Sequence, residues 1–155
     1  MIDEYLADVR ESVSQQFLNI IENDSQVSKA MLHTVLAPSK CIRAGIVRAA
    51  AELEGTLKKE SINNLETAVE AMHSYSLIHD DLPAMDDDDM RRGQASSHIA
   101  YGEATAILAG DALHSLAYEI VANDAHLPIE QKVNIIKLLS DACGFNGMIL
   151  GQQLD

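Results

Sequence analysis

The sequence predicts an all-α domain, and three observations carry the prediction. Apolar residues recur at threes and fours along most of the chain. No convincing alternation of apolar and polar residues marks a strand. The breakers Pro38, Pro83 and Pro128 fall between the periodic segments, where a helix has to stop or start. At 155 residues the chain fits one domain, 1–155, with a core of its own.

The first helix spans about 2 to 23, with Leu6, Val9, Val13, Phe17, Ile20 and Ile21 on one face. "SKAMLHTVLA" forms a shorter second helix that Pro38 stops. "CIRAGIVRAAAELEG" is the third and ends near Gly55. The fourth starts from Ser61 as N-cap and places Ala68, Ala71, Met72, Tyr75 and Ile78 on one side. It ends at about residue 81, because Pro83 disfavours continuation. Leu82 to Ser97 is a polar loop. The fifth helix, "GEATAILAGDALHSLAYEIVAN", is rich in small residues that permit close packing. A sixth begins after Pro128 and runs to the chain end without a stop signal.

Composition narrows the function classes. The formal net charge of −13 opposes general nucleic-acid binding, which needs a basic face. Cys41 and Cys143 are too few and too distant for a disulfide framework or a zinc site, and suit reduced thiols in the cytoplasm. The N-terminus carries early acids and no signal-peptide pattern. No apolar run approaches the roughly 20 residues of a membrane span, so no stable membrane anchor is expected.

One stretch departs from this ordinary pattern. "HDDLPAMDDDDMRRG", His79 to Gly93, concentrates Asp80, Asp81 and Asp86 to Asp89, then follows them with Arg91 and Arg92. Asp80 and Asp81 fall at a helix C-terminus, where the dipole disfavours each carboxylate by about 0.3–1 kcal/mol. Such local conflicts belong at functional sites. Carboxylates are hard ligands for Mg²⁺, Mn²⁺ or Ca²⁺, although the spacing of a calcium-binding EF-hand loop is absent. Guanidinium binds phosphate in a fork. Acids followed by arginines therefore suggest a metal-bridged diphosphate, against the plainer reading of a solvated acidic loop. On a continuous helix Asp80 and Asp86 would point about 120° apart. They can share a metal only if the chain leaves the helix between them, and Pro83 supplies that break.

"SLIHDDLPAMDDDDMRRG" resembles the first aspartate-rich motif of trans-prenyltransferases, DDxxxxD followed by RRG, in the form found in bacterial farnesyl diphosphate synthases (geranyltranstransferases). "GEATAILAGDAL" resembles that family's next helix, and "GMILGQQLD" its G–Q–x–x–D segment, ending at Asp155. The likeness runs from about Lys40 to Asp155. It implies the N-terminal part of an isoprenoid-synthase-type helical bundle, here about six helices. By position, it places allylic-side metal ligands on Asp80 and Asp86, with Asp81 in support. Arg91 matches the arginine that holds the allylic diphosphate. Lys40, Arg43, His73 and Arg92 match residues that hold isopentenyl diphosphate. Gln152 matches a glutamine near the allylic chain. Tyr75 matches an aromatic that closes the product pocket and keeps the product short. The family's GGKxxR segment reads "PSKCIRA" here: the glycine pair is Pro38–Ser39, Ala44 follows the arginine, and Cys41 replaces a common further arginine.

The resemblance implies Mg²⁺-dependent head-to-tail condensation of isopentenyl diphosphate with dimethylallyl or geranyl diphosphate to a short-chain (farnesyl) product. Two or three Mg²⁺ ions, or Mn²⁺ in their place, would take part. It also implies a cytoplasmic homodimer. Family members run to about twice this length. The second aspartate-rich motif and the allylic lysine are not in the sequence, so the chain alone is expected to be inactive. The alternative is a non-catalytic short form that binds diphosphate or metal, or partners another chain.

Overall fold

The structure, a computed structural model, describes residues 1–154; Asp155 lies outside them. Its described residues form eight helical segments and one short hairpin: α1 Ile2–Ile20, α2 Gln26–Val35, α3 Ile42–Glu54, α4 Lys59–Asp80, β1 Met90–Arg91, β2 Gln94–Ala95, α5 Ser97–Tyr101, α6 Glu103–Asn123, α7 Ile129–Cys143 and α8 Met148–Leu154.

α4 and α6 form the central pair. Ser61 meets Asp124, Tyr75 meets His114 and His79 meets Ile107, so the two helices run antiparallel. Small side chains let them approach: Ala68 and Ala71 of α4 and Ala106, Ala109 and Ala117 of α6 are all buried. Every residue predicted for the apolar side of α4 is buried, as are Val9, Val13, Phe17 and Ile21 at the first helix. α1 and α3 cover one flank of the pair, and α2 packs against α6.

One ion network joins α1, α3 and α4. Arg48 donates from Nε to Glu66 Oε1 at 2.6 Å and from an Nη to Glu66 Oε2 at 2.8 Å. Its other Nη reaches Asp8 at 2.5 Å. Arg48 and Glu66 are both buried, so the fork of the guanidinium compensates a carboxylate that water does not reach.

Several boundaries differ from the sequence reading. α1 stops at Ile20, because the Asn23–Ser25 side chains form local bonds that compete with the helix. Those bonds start α2 at Gln26, two residues early: the Ser25 hydroxyl caps it by accepting from the Ser28 N–H at 3.1 Å. α4 begins at Lys59, and Ser61 is not its cap. The Ser61 hydroxyl instead donates to the buried Asp124 carboxylate at 3.0 Å.

The 82–97 segment is not wholly loop. It contains β1 and β2, paired Met90 to Ala95 and Arg91 to Gln94, and leads into α5. Arg92 and Gly93 form the two-residue turn, both at positive φ (54° and 82°), as tight hairpins require. Finally, the last helix is broken into α7 and α8 at Gly144–Gly147. A Cβ on Gly144 or Gly147 would overlap the carbonyls of Ser140 or Ala142, so the break depends on glycine at both positions.

The C-terminal stretch also corrects the hydropathy reading. Within Ile129–Leu154 an 18-residue window reaches a mean hydropathy of 1.2, enough by length and composition alone for a membrane span. The glycine break interrupts it, and no residue of α7 or α8 is fully buried.

Candidate active site

Two clefts open on α4, one on each side of its C-terminal half. The first, of about 470 Å³, is lined by Arg10, Pro38, Ser39, Lys40, Cys41, Ile42, Arg43, Glu70, His73 and Arg92. It gathers four cationic side chains in a protein of net charge −13. The second, of about 590 Å³, is mostly apolar, with Tyr75, Leu82, Met85, Ile107, Met148 and Ile149 among its walls and Asp80 and Gln152 on its lining.

His73 joins the cations of the first cleft. Its Nε2 lies 3.4 Å from an Arg43 Nη and 3.2 Å from an Arg92 Nη. Burial, and then the charges of Arg43, Arg92 and Arg91, push its pKa down to about 4. The ring is therefore neutral near pH 7, and its unprotonated nitrogen accepts from the guanidiniums. Lys40 and Arg43 flank the start of α3, where Cys41 holds a left-handed backbone (φ 45°). Arg92 is left-handed too, at the hairpin tip. Non-glycine residues at positive φ are strained, and two of the three described here line this one cleft.

The hairpin holds Arg92 in place by docking on α2. The Gln94 amide donates to the His33 carbonyl, and His33 Nε2 donates to the Ala95 carbonyl, both at 2.8 Å. Glu70 sits one turn before His73 on α4. Its carboxylate, 5% exposed, accepts from the Ala44 N–H at 3.2 Å and so caps the first turn of α3, which has no cap of its own. Burial raises the Glu70 pKa, partly offset by that bond and by Arg43 and Arg92.

The acids gather around the end of α4. The chain leaves the helix at Asp80 and folds back through Pro83, so that the Asp86 N–H donates to the Asp80 carbonyl at 2.9 Å. The turn expected at Pro83 is present, and it brings the Asp80 and Asp86 backbones together. Asp81 is differently employed. It is 2% exposed, and its Oδ1 accepts from Arg91 Nε at 2.6 Å and Nη2 at 2.5 Å. Arg91 also lies 3.5 Å from Asp88 and 3.8 Å from Asp80. These acids, Asp81 first, raise the Arg91 pKa. Gln152 of α8 donates to Asp80 Oδ1.

Among the described residues, no three His, Cys, Asp or Glu side chains converge to enclose a metal. The donor set still suits Mg²⁺. That ion needs only one or two protein carboxylates and fills its shell with water and phosphate; Asp80 lines an open cleft, and the turn holds the Asp86 backbone against that of Asp80.

Tyr75 is buried on the wall of the apolar cleft, its ring edge-on to His114 at 4.8 Å and to His79 at 5.7 Å. The His79 ring fits because position 110 is glycine; a Cβ there would overlap it.

The predicted residues thus separate into two groups. Lys40, Arg43, His73 and Arg92 meet in the cationic cleft, while Tyr75, Asp80 and Gln152 meet at the apolar one. Arg91 and Asp81 pair near the second group. Arg10 and Glu70 escaped the sequence reading. Glu70 was detectable, being three residues from His73 on one helix face. Arg10 carried no local signal.

Comparison with known proteins gives the family and the fold. The polyprenyl synthetase family profile matches residues 24–155. The farnesyl diphosphate synthase of Haemophilus influenzae is 45% identical over 140 residues, 90% of this chain and 47% of that protein. That of Escherichia coli is 44% identical over 138 residues, 85% of this chain and 44% of its own. In three dimensions, a crystal structure of an FPP/GFPP synthase from Zymomonas mobilis superposes with a TM-score of 0.94 at 32% identity, covering 99% of this chain and 57% of that one. A geranyltransferase from Legionella pneumophila gives 0.89 at 40% identity, covering 99% and 54%. The chain spans about half the length of the relatives it matches. With the profile over most of its length and relatives about 45% identical, the chain belongs to the polyprenyl synthetase family.

Proposed function

We propose that this chain is the isopentenyl-diphosphate-binding and first metal-binding part of a short-chain prenyl diphosphate synthase, which joins isopentenyl diphosphate to dimethylallyl or geranyl diphosphate in the cytoplasm. The observation that carries the reading is the cationic cleft: Lys40, Arg43 and Arg92 stand around a neutral His73 within an otherwise acidic protein. A diphosphate complements that charge, and guanidinium forks give it directed donors.

The apolar cleft takes the allylic partner. Its hydrocarbon lies along Tyr75, Leu82 and Ile107 and is shielded there from water. Tyr75 limits how far a product chain can extend. Asp80 and Asp86 hold Mg²⁺, with Asp81 fixing Arg91 beside them; two or three ions serve, and Mn²⁺ can replace them. When bound, the metal neutralises charge that develops on the departing diphosphate. Arg91 keeps its Nε and Nη2 on Asp81 and offers its remaining N–H groups to the same oxygens. Gln152 orients Asp80. The working protein is a homodimer.

A second reading keeps the binding and omits turnover. The sequence carries the first aspartate-rich motif without a second, which favours it for the chain on its own. One experiment addresses both. The verified 155-residue chain is titrated with isopentenyl diphosphate, then assayed with radiolabelled isopentenyl diphosphate, geranyl diphosphate and Mg²⁺. We expect saturable binding that Arg92→Met weakens at least tenfold, without product. Product from the pure chain would establish it as a complete enzyme. Binding that is absent, or indifferent to Arg92 and Lys40, would overturn the assignment of the cleft.

A further inference from the structure

We propose that Arg10, on α1, is a further diphosphate-binding residue of the cationic cleft, delivered by the packing of α1 on α3. The inference rests on the assignment of that cleft to a diphosphate, and extends it to a segment outside the family match, which begins at residue 24.

The register of two helices places it there. Tyr5 donates to Glu52 at 3.0 Å, Asp8 pairs with Arg48 at 2.5 Å, and Arg10 donates to the Ser39 carbonyl at 3.3 Å. As the number rises along α1 it falls along α3, so the two run antiparallel. Gly45 sets how close they come. A Cβ there would lie 2.6 Å from Leu6 Cδ2, so the missing side chain lets Leu6 lie against α3. Arg10 is one turn beyond Leu6, and Cys41 one turn before Gly45. Arg10 therefore arrives beside the Pro38–Cys41 turn that carries Lys40.

Arg10 is exposed and lines the same cleft as Arg92 and His73. Its bond to Ser39 uses one N–H, and a guanidinium has five, in a planar fork. The side chain thus braces the lysine-bearing turn and presents donors to an anion in the cleft.

The test uses the 155-residue chain, with inorganic pyrophosphate and isopentenyl diphosphate as ligands in calorimetric titrations. Arg10→Met should weaken both about tenfold, as loss of one charge-assisted contact does. Arg10→Lys should recover part of the loss. In the unaltered chain, either ligand should protect Arg10 from phenylglyoxal, read by peptide mass. Arg10→Met binding like the parent, while Arg92→Met binds weakly, would overturn the role of Arg10 and leave the cleft assignment standing. Weak binding by Arg10→Met with no protection of Arg10 and no recovery in Arg10→Lys would reduce Arg10 to a brace and overturn direct contact. A parent chain that binds neither ligand would overturn both.

Discussion

His73 shows how a single residue takes its chemistry from its surroundings. An ordinary histidine titrates near 6.5, and this one is pushed down to about 4 by burial and by three arginines. Above pH 6.5 both folded and unfolded chains hold the ring neutral, and it contributes nothing to the pH dependence of stability. As pH falls from 6.5 toward 4, the unfolded chain takes up a proton that the folded chain refuses. Stability should therefore fall across that window. Denaturant melts between pH 7 and 4 should show the decline, and His73→Gln should flatten it. A diphosphate would neutralise the arginines, so pyrophosphate should raise the His73 midpoint in an NMR titration. An unmoved midpoint would mean that the anion lies elsewhere.

The helices are held in register by a few polar contacts rather than by apolar area alone. The Arg48–Glu66–Asp8 network is the clearest case, since Glu66 is fully buried and its charge depends on Arg48. Arg48→Met should cost about 3–5 kcal/mol in urea unfolding, because it strands a buried carboxylate. The double change Arg48→Met with Glu66→Leu should recover much of that loss, because no charge is then left uncompensated. A double variant as unstable as the single one would show that packing, not charge, sets the cost. Asp124 plays a similar part at the other end of the bundle. Burial alone would raise its pKa, but Asn64, the His126 and Leu127 N–H groups and Ser61 all donate to it and hold it below the usual value. The α4 start, the α6 end and the turn into α7 meet on that one carboxylate.

At the scale of the whole molecule, α7 leaves apolar side chains open to solvent. α7 contributes no fully buried residue, and Ile129, Val133 and Leu138 are more than half exposed. Exposed apolar side chains of this kind favour association, while a net charge of −13 opposes it at low salt. Sedimentation velocity should therefore show association that grows with protein concentration and with salt. Leu138→Glu should suppress it. A monomer across the full range would show that repulsion prevails over the exposed surface.

The amino-acid order alone determined the helical class, the apolar faces of α1 and α4, and the aspartate–arginine segment with its break at Pro83. Each of these is local: a 3.6-residue period, a missing N–H, and a charge density that a helix end cannot hold without partners. The resemblance to trans-prenyltransferases also grouped Lys40, Arg43, His73 and Arg92, which lie in three separate segments. Tertiary structure decided the rest. Ser61 fits the pattern of an N-cap, but a buried carboxylate 63 residues away takes its hydroxyl. The hairpin at Arg92 hides in a polar stretch, because a two-residue strand has no period to detect. Asp81 reads as support for the metal-side acids, and which cation it meets, Arg91, is set by the fold-back of the chain after α4. Arg10 enters the cleft only because Gly45 lets α1 lie close to α3. Local pattern reports what one segment prefers. Which side chain meets which across 30 or 60 residues depends on how the segments pack, and packing is where this cleft acquires its walls.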